Sequence, residues 1–311
     1  MSTLTAVVPV VVMLVMGMVM RMTGFLSRQC INDLKTLVAM VMLTVTVFNA
    51  LATADFSMST LQMVLVMLVI DVVPFLIGFA IRPLFPEKRR RYIPFLMSMY
   101  EGGMLVYPLY TNMCGADRLS NVAILDISGV LFGFGVWMNM LAAQECGEPM
   151  SVRGTFRKAL SSPTFIAAVL GLFCGLTGIV KWLLHTPAGP LYQGVESIIT
   201  APMSALILLA VGYDLDLRPA KIKEVLQPIG ARFVIQAFAF IAGVMAVKRL
   251  FPGNTAMLAA VMLYISAPSG FSTAAYIKDP EGGSYVATTN SLYVIITIVM
   301  YAVATYVYER M

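Results

Sequence analysis

The sequence predicts an all-α integral membrane protein with ten transmembrane helices. They are expected to form two inverted five-helix repeats, with broken helices four and nine crossing at the bilayer midplane. Three observations predict this fold class. Of the 311 residues, 59% are hydrophobic and only 12% are charged, against about 25% charged in soluble domains. The apolar residues come in long runs, and a pattern of proline and glycine near the start recurs near the middle.

The apolar runs define the individual helices. A membrane-spanning helix needs about 20 residues, and 311 residues with short connections divide into ten of them. The first has no basic segment before it and is followed by Arg21, so a retained helix is predicted rather than a cleaved signal peptide. The predicted helices cover 4–22, 31–52, 60–81, 92–114, 119–142, 162–183, 190–212, 226–248, 255–277 and 284–308.

Lys and Arg near the helix ends predict the orientation, because these residues accumulate on the cytoplasmic side of a membrane. Fourteen lie in the odd-numbered connections and four in the even-numbered ones. Both termini are therefore expected outside, and the short loops suggest a bacterial inner membrane. The net charge of +5 follows from this bias and from contact with anionic lipid, so it gives no reason to expect nucleic acid as a partner.

Internal repetition predicts the arrangement of the helices. Residues 82–86, RPLFP, are echoed by KRLFP at 248–252. The halves are expected at 1–142 and 162–311, joined by a cytoplasmic connection at 143–161. Five helices per half is an odd number, so the second half enters the membrane with the opposite orientation. Inverted repeats are typical of secondary transporters. Proline and glycine recur with a spacing of eight and then seven residues, at Pro9, Gly17 and Gly24 and at Pro163, Gly171 and Gly178.

Two of the predicted helices carry residues that break helices. The segment MYEGGMLVYPLY at 99–110 has a carboxylate, two glycines and a proline, and we expect unwinding over 101–108. The segment SAPSGFST at 266–273 has Pro268 and Gly270 in the middle of helix nine. Unwound backbone at membrane depth is tolerated only where it is buried in protein or lines a watery cavity. The breaks therefore predict a substrate site at their crossing, with ordinary kinks held by packing as the alternative.

These motifs resemble those of the auxin efflux carrier family, which shares a superfamily with the sodium/bile acid symporters. The ninth-helix Met-Pro-Thr-Ala pattern resembles residues 267–270, and the Pro and Gly of the seventh-helix pattern fall on Pro202 and Gly212. The fourth-helix pattern Asn-x-Gly-Asn-x-Gly-x-Pro-Leu falls on 101–109. There, Glu101, Met104 and Val106 replace the two asparagines and the third glycine.

The resemblance implies a function and an architecture. It implies a secondary active transporter of small organic anions, such as malate, malonate or auxin-like acids. It also implies a scaffold of helices 1, 2, 6 and 7, a transport domain of helices 3, 4, 5, 8, 9 and 10, a homodimer and elevator-like movement. A sodium/bile acid symporter-like carrier is the alternative. The expected substrate-binding residues are Asn49, Tyr100, Glu101, Gly102, Gly103, Met104, Tyr107, Pro108, Pro268, Ser269, Gly270 and Ser272.

Glu101 is the predicted coupling residue, for a proton or for sodium. The break segments contain no Lys or Arg, so an anionic substrate is expected to depend on positive helix ends and on backbone N–H groups around 102–104 and 268–270. An ionised Glu101 would oppose that attraction, and a buried acid usually becomes protonated or holds a cation. Asp126 is the second intramembrane acid, and a position near the outer end that reaches water is its alternative explanation. Thr289 and Asn290 could equally be contacts between helices. The expected ion-coupling residues are Glu101, Asp126, Ser128, Thr289 and Asn290, with a possible sodium ion near Glu101.

Other classes of function are weighed against the transporter. The segment GYDLDL at 212–217 places Tyr and Asp at a helix end, as in intramembrane aspartyl proteases, but the second Asp in a Gly-x-Gly-Asp setting does not occur. We therefore expect no enzyme and no cofactor beyond a coupling Na⁺ or H⁺. A receptor or a channel remains an alternative function, because a site between broken helices can bind a ligand without moving. The absence of a nucleotide-binding loop implies that energy comes from a gradient.

Overall fold

The computed structural model describes residues 3–147, 154, 157, 159–215, 219–271 and 273–310, which form helices and no strands. Ser272 and, within the predicted connection at 143–161, residues 148–153, 155, 156 and 158 lie outside these residues. We number the helices by the predicted spans and mark the two halves of a broken helix a and b. They are α1 Thr3–Thr23, α2 Arg28–Ala52, α3 Met58–Ile81, α4a Ile93–Met97, α4b 102–114, α5 Ser120–Glu145, α6 Pro163–Thr177, α7 Gly189–Asp214, α8 Pro219–Leu250, α9a Thr255–Ile265, α9b Thr273–Tyr276 and α10 Pro280–Arg310.

The chain is an all-α membrane protein. Within the described residues, seven helices are long and apolar enough to cross a membrane, namely α1, α2, α3, α5, α7, α8 and α10. Helices α6 and α9a are apolar but shorter, with 15 and 11 residues. The predicted helix 162–183 ends early because Gly178 adopts a positive φ of 72°, and a short helix, Ile179–Leu184, follows. A helix or a pair of helix segments lies at each predicted span.

Glycines allow four of the helices to pair closely. A Cβ atom at Gly17 of α1 would lie 2.1 Å from the carbonyl oxygen of Leu209 in α7. A Cβ atom at Gly171 of α6 would lie 2.7 Å from the carbonyl oxygen of Phe48 in α2. Gly17 and Gly171 are the residues that the predicted repeat matches, and each contacts a helix of the other half.

Helix α9a is enclosed by other helices. All residues from Ala256 to Ile265 are buried, and the helix packs against α5, α8 and α10. A helix that is apolar on every side can lie in a protein interior or face lipid, and the burial of α9a places it in the interior. Its end at Ile265 therefore brings the break in helix nine into the middle of the protein. Helix α4b also contacts α9a, so the two broken helices meet there.

The close contact of α1 with α7 predicts the effect of adding one methyl group. The Cβ atom of Gly212→Ala would lie 2.2 Å from the carbonyl oxygen of Leu14, so the backbones must separate. We expect the free energy of unfolding to fall by about 1–3 kcal/mol. Gly194→Ala, in the same helix but with no atom within 4 Å, is the matched control. It should change stability by less than about 1 kcal/mol. Equal melting temperatures of the two purified variants would contradict the contact.

Candidate functional site at the crossing of two broken helices

The first break separates α4a from α4b at residues 98–101. Met99 has a positive φ of 56°, alone among the described residues other than glycine. Such a conformation costs about 1–3 kcal/mol and persists only where its surroundings enforce it. The unwinding predicted at 101–108 is thus displaced toward the N-terminus. The helix resumes at Gly102 with a π-helical turn to Val106, a wider turn in which the ring of Pro108 is accommodated.

The second break separates α9a from α9b around Pro268 and Gly270, as predicted. The N–H of Glu101 donates to the carbonyl of Pro268 at 2.9 Å, so the two breaks are hydrogen-bonded directly. Helix α10 supports this segment through the side chain of Asn290. The Asn290 Oδ1 atom accepts from Ser269 Oγ at 2.7 Å, and Nδ2 donates to the carbonyl of Gly270 at 3.3 Å.

The Glu101 carboxylate lies between the two broken helices. Its Oε1 atom accepts from the N–H of Met104 at 3.0 Å, at the start of α4b. Its Oε2 atom accepts from the N–H of Phe271 at 2.5 Å, just after the second break. One carboxylate therefore neutralises the positive start of α4b and also binds the other chain segment. The Met104 amide is among those expected to bind an anionic substrate, whereas the Phe271 amide lies one residue beyond the expected segment 268–270.

Arg232 of α8 binds carbonyl groups at and just after the C-terminal ends of α4a and α9a. Arg232 is 1% exposed, and its guanidinium donates to backbone carbonyls in both breaks and at the end of α4a. It also lies over the rings of Tyr100 and Tyr293, with Cζ 5.5 and 5.4 Å from the ring centroids. The carbonyl acceptors are Leu96 at 2.5 Å, Ser98 at 3.2 Å, Met99 at 2.7 Å and Ala267 at 2.9 Å.

The sequence analysis missed Arg232, although it gives a signal. An arginine in the middle of the predicted helix 226–248 is costly in lipid, and such a residue usually has a functional partner. Gln236 follows one turn later and donates to the carbonyl of Ala267 at 3.0 Å. Residues i and i+4 share a helix face, so both side chains reach the same segment. The break segments themselves contain no Lys or Arg, as the sequence shows, and the cation comes from α8 instead.

Further acids lie beside Glu101. Asp126 of α5 accepts from the Tyr264 hydroxyl at 2.7 Å, and its Oδ1 atom lies only 2.6 Å from where a Cβ atom at Gly102 would be. Asp71 of α3 is buried and accepts from Ser128 Oγ at 2.9 Å. Asp126 therefore lies against the start of α4b, and its neighbour Asp71 is bound through Ser128.

A small cavity opens on the side of Asp126 that faces α2 and α6. It has a volume of about 80 Å³ and is lined mostly by apolar side chains, including Val47 and Phe165. Asp126 and Tyr107 are its polar residues. The Tyr107 hydroxyl is buried and has no hydrogen-bond partner in the described part of the chain. The cavity therefore presents one carboxylate and one free hydroxyl at the edge of the crossing.

Several predicted site residues lie at the crossing, and others do not. Gly102, Gly103, Met104, Pro268, Ser269 and Gly270 lie there with Glu101, Tyr100 and Asn290. Asn49 instead accepts from the Tyr192 hydroxyl in α7 at 2.8 Å. Thr289 donates to the carbonyl of Tyr285 at 2.8 Å, so its hydroxyl is bonded within its own helix. Both Glu101 oxygens bind amides, and no group of three or more His, Cys, Asp or Glu in the described residues is arranged to hold a metal ion.

The contact between Gly102 and Asp126 predicts different effects for two neighbouring glycines. Gly102→Ala places a methyl group against a carboxylate oxygen and the Tyr264 ring in a packed interior, so we expect a loss of about 1–3 kcal/mol in stability. Gly103→Ala, the control, meets only the end of the flexible Leu43 side chain. Its melting temperature should fall by clearly less than that of Gly102→Ala. A larger fall in melting temperature for Gly103→Ala than for Gly102→Ala would contradict the contact between Asp126 and α4b.

Neither a protein-family model nor a curated protein matches the chain. The function therefore has to be inferred from the chemistry of the site. This consists of the two broken helices, the Glu101 carboxylate bound to their amides and the Arg232 guanidinium bound to their carbonyls.

Proposed function

We propose that this protein is a secondary active transporter of small organic anions, and that a proton on Glu101 couples their movement to a gradient. The observation that carries the proposal is the position of the Glu101 carboxylate, which accepts hydrogen bonds from amides on both broken helices. Half-helix starts of this kind bind the anionic groups of substrates in transporters. The protein's own carboxylate therefore occupies the place that a substrate carboxylate would take.

Coupling follows from competition for these amides. A substrate carboxylate binds the N–H groups of Met104 and Phe271 only after the Glu101 side chain has left them. A proton on Glu101 removes its charge and so weakens its hold on both amides. One proton and one substrate carboxylate then enter the crossing together. Because both breaks contact Glu101, this exchange alters both broken helices in one step.

The architecture that we propose around this site has two inverted repeats of five helices. The close pairs α1 with α7 and α2 with α6, each between the halves, support this arrangement. Membership of the auxin efflux carrier family, a homodimer and elevator-like movement of α3, α4, α5, α8, α9 and α10 are part of the same proposal. So are a bacterial inner membrane and external termini. The cavity at Asp126 lies between α5 and the helices α2 and α6, where a moving group would slide past a scaffold.

A carrier of organic amines is the second candidate. The two acids at the crossing, Glu101 and Asp126, are partly exposed, whereas Arg232 is buried and already bound to carbonyls. The accessible charge is therefore negative, which favours a cationic group. An amine would bind the carboxylate of Asp126 beside Glu101 without displacing it. A proton on either acid would weaken its binding, so its pH dependence would be the opposite of that expected for an anion.

The two candidates are separated by thermal stability of the purified protein with ligands at about pH 6 and about pH 8, where simple carboxylates stay ionised. The panel contains mono- and dicarboxylates, bile acids and organic amines, each in sodium and in potassium salts. A ligand that binds only the folded state raises the melting temperature. We expect a carboxylate to raise it more at the lower pH. Glu101→Gln, which is neutral at every pH, should respond equally at both.

Glu196→Gln, which removes an acid of α7 away from the crossing, is the control and should keep the wild-type pH dependence. A shift that requires sodium and ignores pH would replace the proton by sodium. A shift with amines alone would favour the second candidate. If no ligand changes the melting temperature, the substrate classes proposed here are wrong. Ligand-dependent stability without concentrative uptake in proteoliposomes would identify a receptor or a channel.

A further inference from the structure

The carbonyl groups around Arg232 form an unusual ligand set. Leu96 contributes a backbone oxygen from the end of α4a, Ser98 and Met99 contribute two from the first break, and Ala267 contributes one from the second. The four oxygens lie 2.5–3.2 Å from the two terminal nitrogens of the guanidinium. Segments 171 residues apart in sequence, from Leu96 to Ala267, therefore converge on one positive charge.

The surroundings of the guanidinium differ from those of an ion pair. None of its hydrogen bonds within the described residues goes to a carboxylate, and the aromatic faces of Tyr100 and Tyr293 flank it. Free carbonyls at the ends of α4a and α9a carry partial negative charge, and aromatic faces attract cations. In a membrane interior, carbonyls without a partner would be costly. This place therefore requires a cation or an equivalent set of donors.

We propose that these four carbonyls form a binding site for a monovalent cation, and that the Arg232 side chain fills it permanently. The site is distinct from Glu101 and does not depend on the proposed transport function. Its occupant is fixed to α8, so the crossing is held together without a free ion. If the Arg232 side chain were removed, the site would take a small cation that several oxygen atoms can bind at once, such as guanidinium, sodium or potassium.

The test is the melting temperature of Arg232→Ala, purified in choline chloride, a salt whose cation is too large and carries no N–H donors. We expect it to lie about 5–10 °C below that of the wild type, because the carbonyls lose a buried charged donor. Guanidinium chloride at about 20 mM should recover at least about 3 °C of this loss, while sodium and potassium are tested alongside. The wild type and Arg249→Ala, at the end of the same helix, should not respond.

The proposal is overturned if Arg232→Ala melts like the wild type, or if it melts lower and none of the three cations restores it. Should Arg232→Ala fail to fold, Arg232→Lys decides the question, since it keeps the charge and loses the planar fork of donors. A folded lysine variant then supports a requirement for a cation. A lysine variant that also fails to fold shows that only the guanidinium geometry fits, which contradicts a general cation site. None of these measurements involves transport, so they stand apart from the test of Glu101.

Discussion

Two helices that end inside a membrane protein leave backbone donors and acceptors that lipid cannot satisfy, and the rest of this structure depends on how those groups are bound. The carbonyls at the ends of α4a and α9a bind Arg232, and amides after the breaks bind Glu101. Polar side chains of α8 and α10 complete the network through Gln236 and Asn290. The strained backbone at Met99 persists because its carbonyl is one of the bound groups.

The packing places this crossing where it is protected on most sides. Buried α9a brings its own break to the centre, and the glycine-mediated pairs of α1 with α7 and α2 with α6 form a second group of helices beside it. Between the two groups lies the small cavity with Asp126 and Tyr107. The positive and the negative side chains therefore lie on different sides of the crossing. The cation is enclosed by α8 and α10, while the acids Glu101 and Asp126 are nearer to the interface between the groups.

Much of this arrangement is predictable from local sequence. Runs of apolar residues predict the helices, and Pro268 and Gly270 predict the second break, because proline and glycine act on the backbone at their own positions. The first break is less predictable, since a π-helical turn accommodates Pro108 and moves the unwinding to 98–101. Arg232 was missed because its contacts depend on the rotation and packing of α8 against segments far away in sequence. For the same reason, Asn49 was expected at the site and instead contacts Tyr192.

The Glu101 carboxylate has a consequence for the reaction cycle of a carrier. A site that exposes bare amides when substrate leaves is poorly suited to return across the membrane empty, and such a carrier tends toward obligatory exchange. Here the side chain of Glu101 accepts hydrogen bonds from the amides of Met104 and Phe271. These amides would therefore have a partner within the protein after a substrate has left. In a transporter of the proposed kind, this would permit the empty return step, and with it net accumulation of substrate.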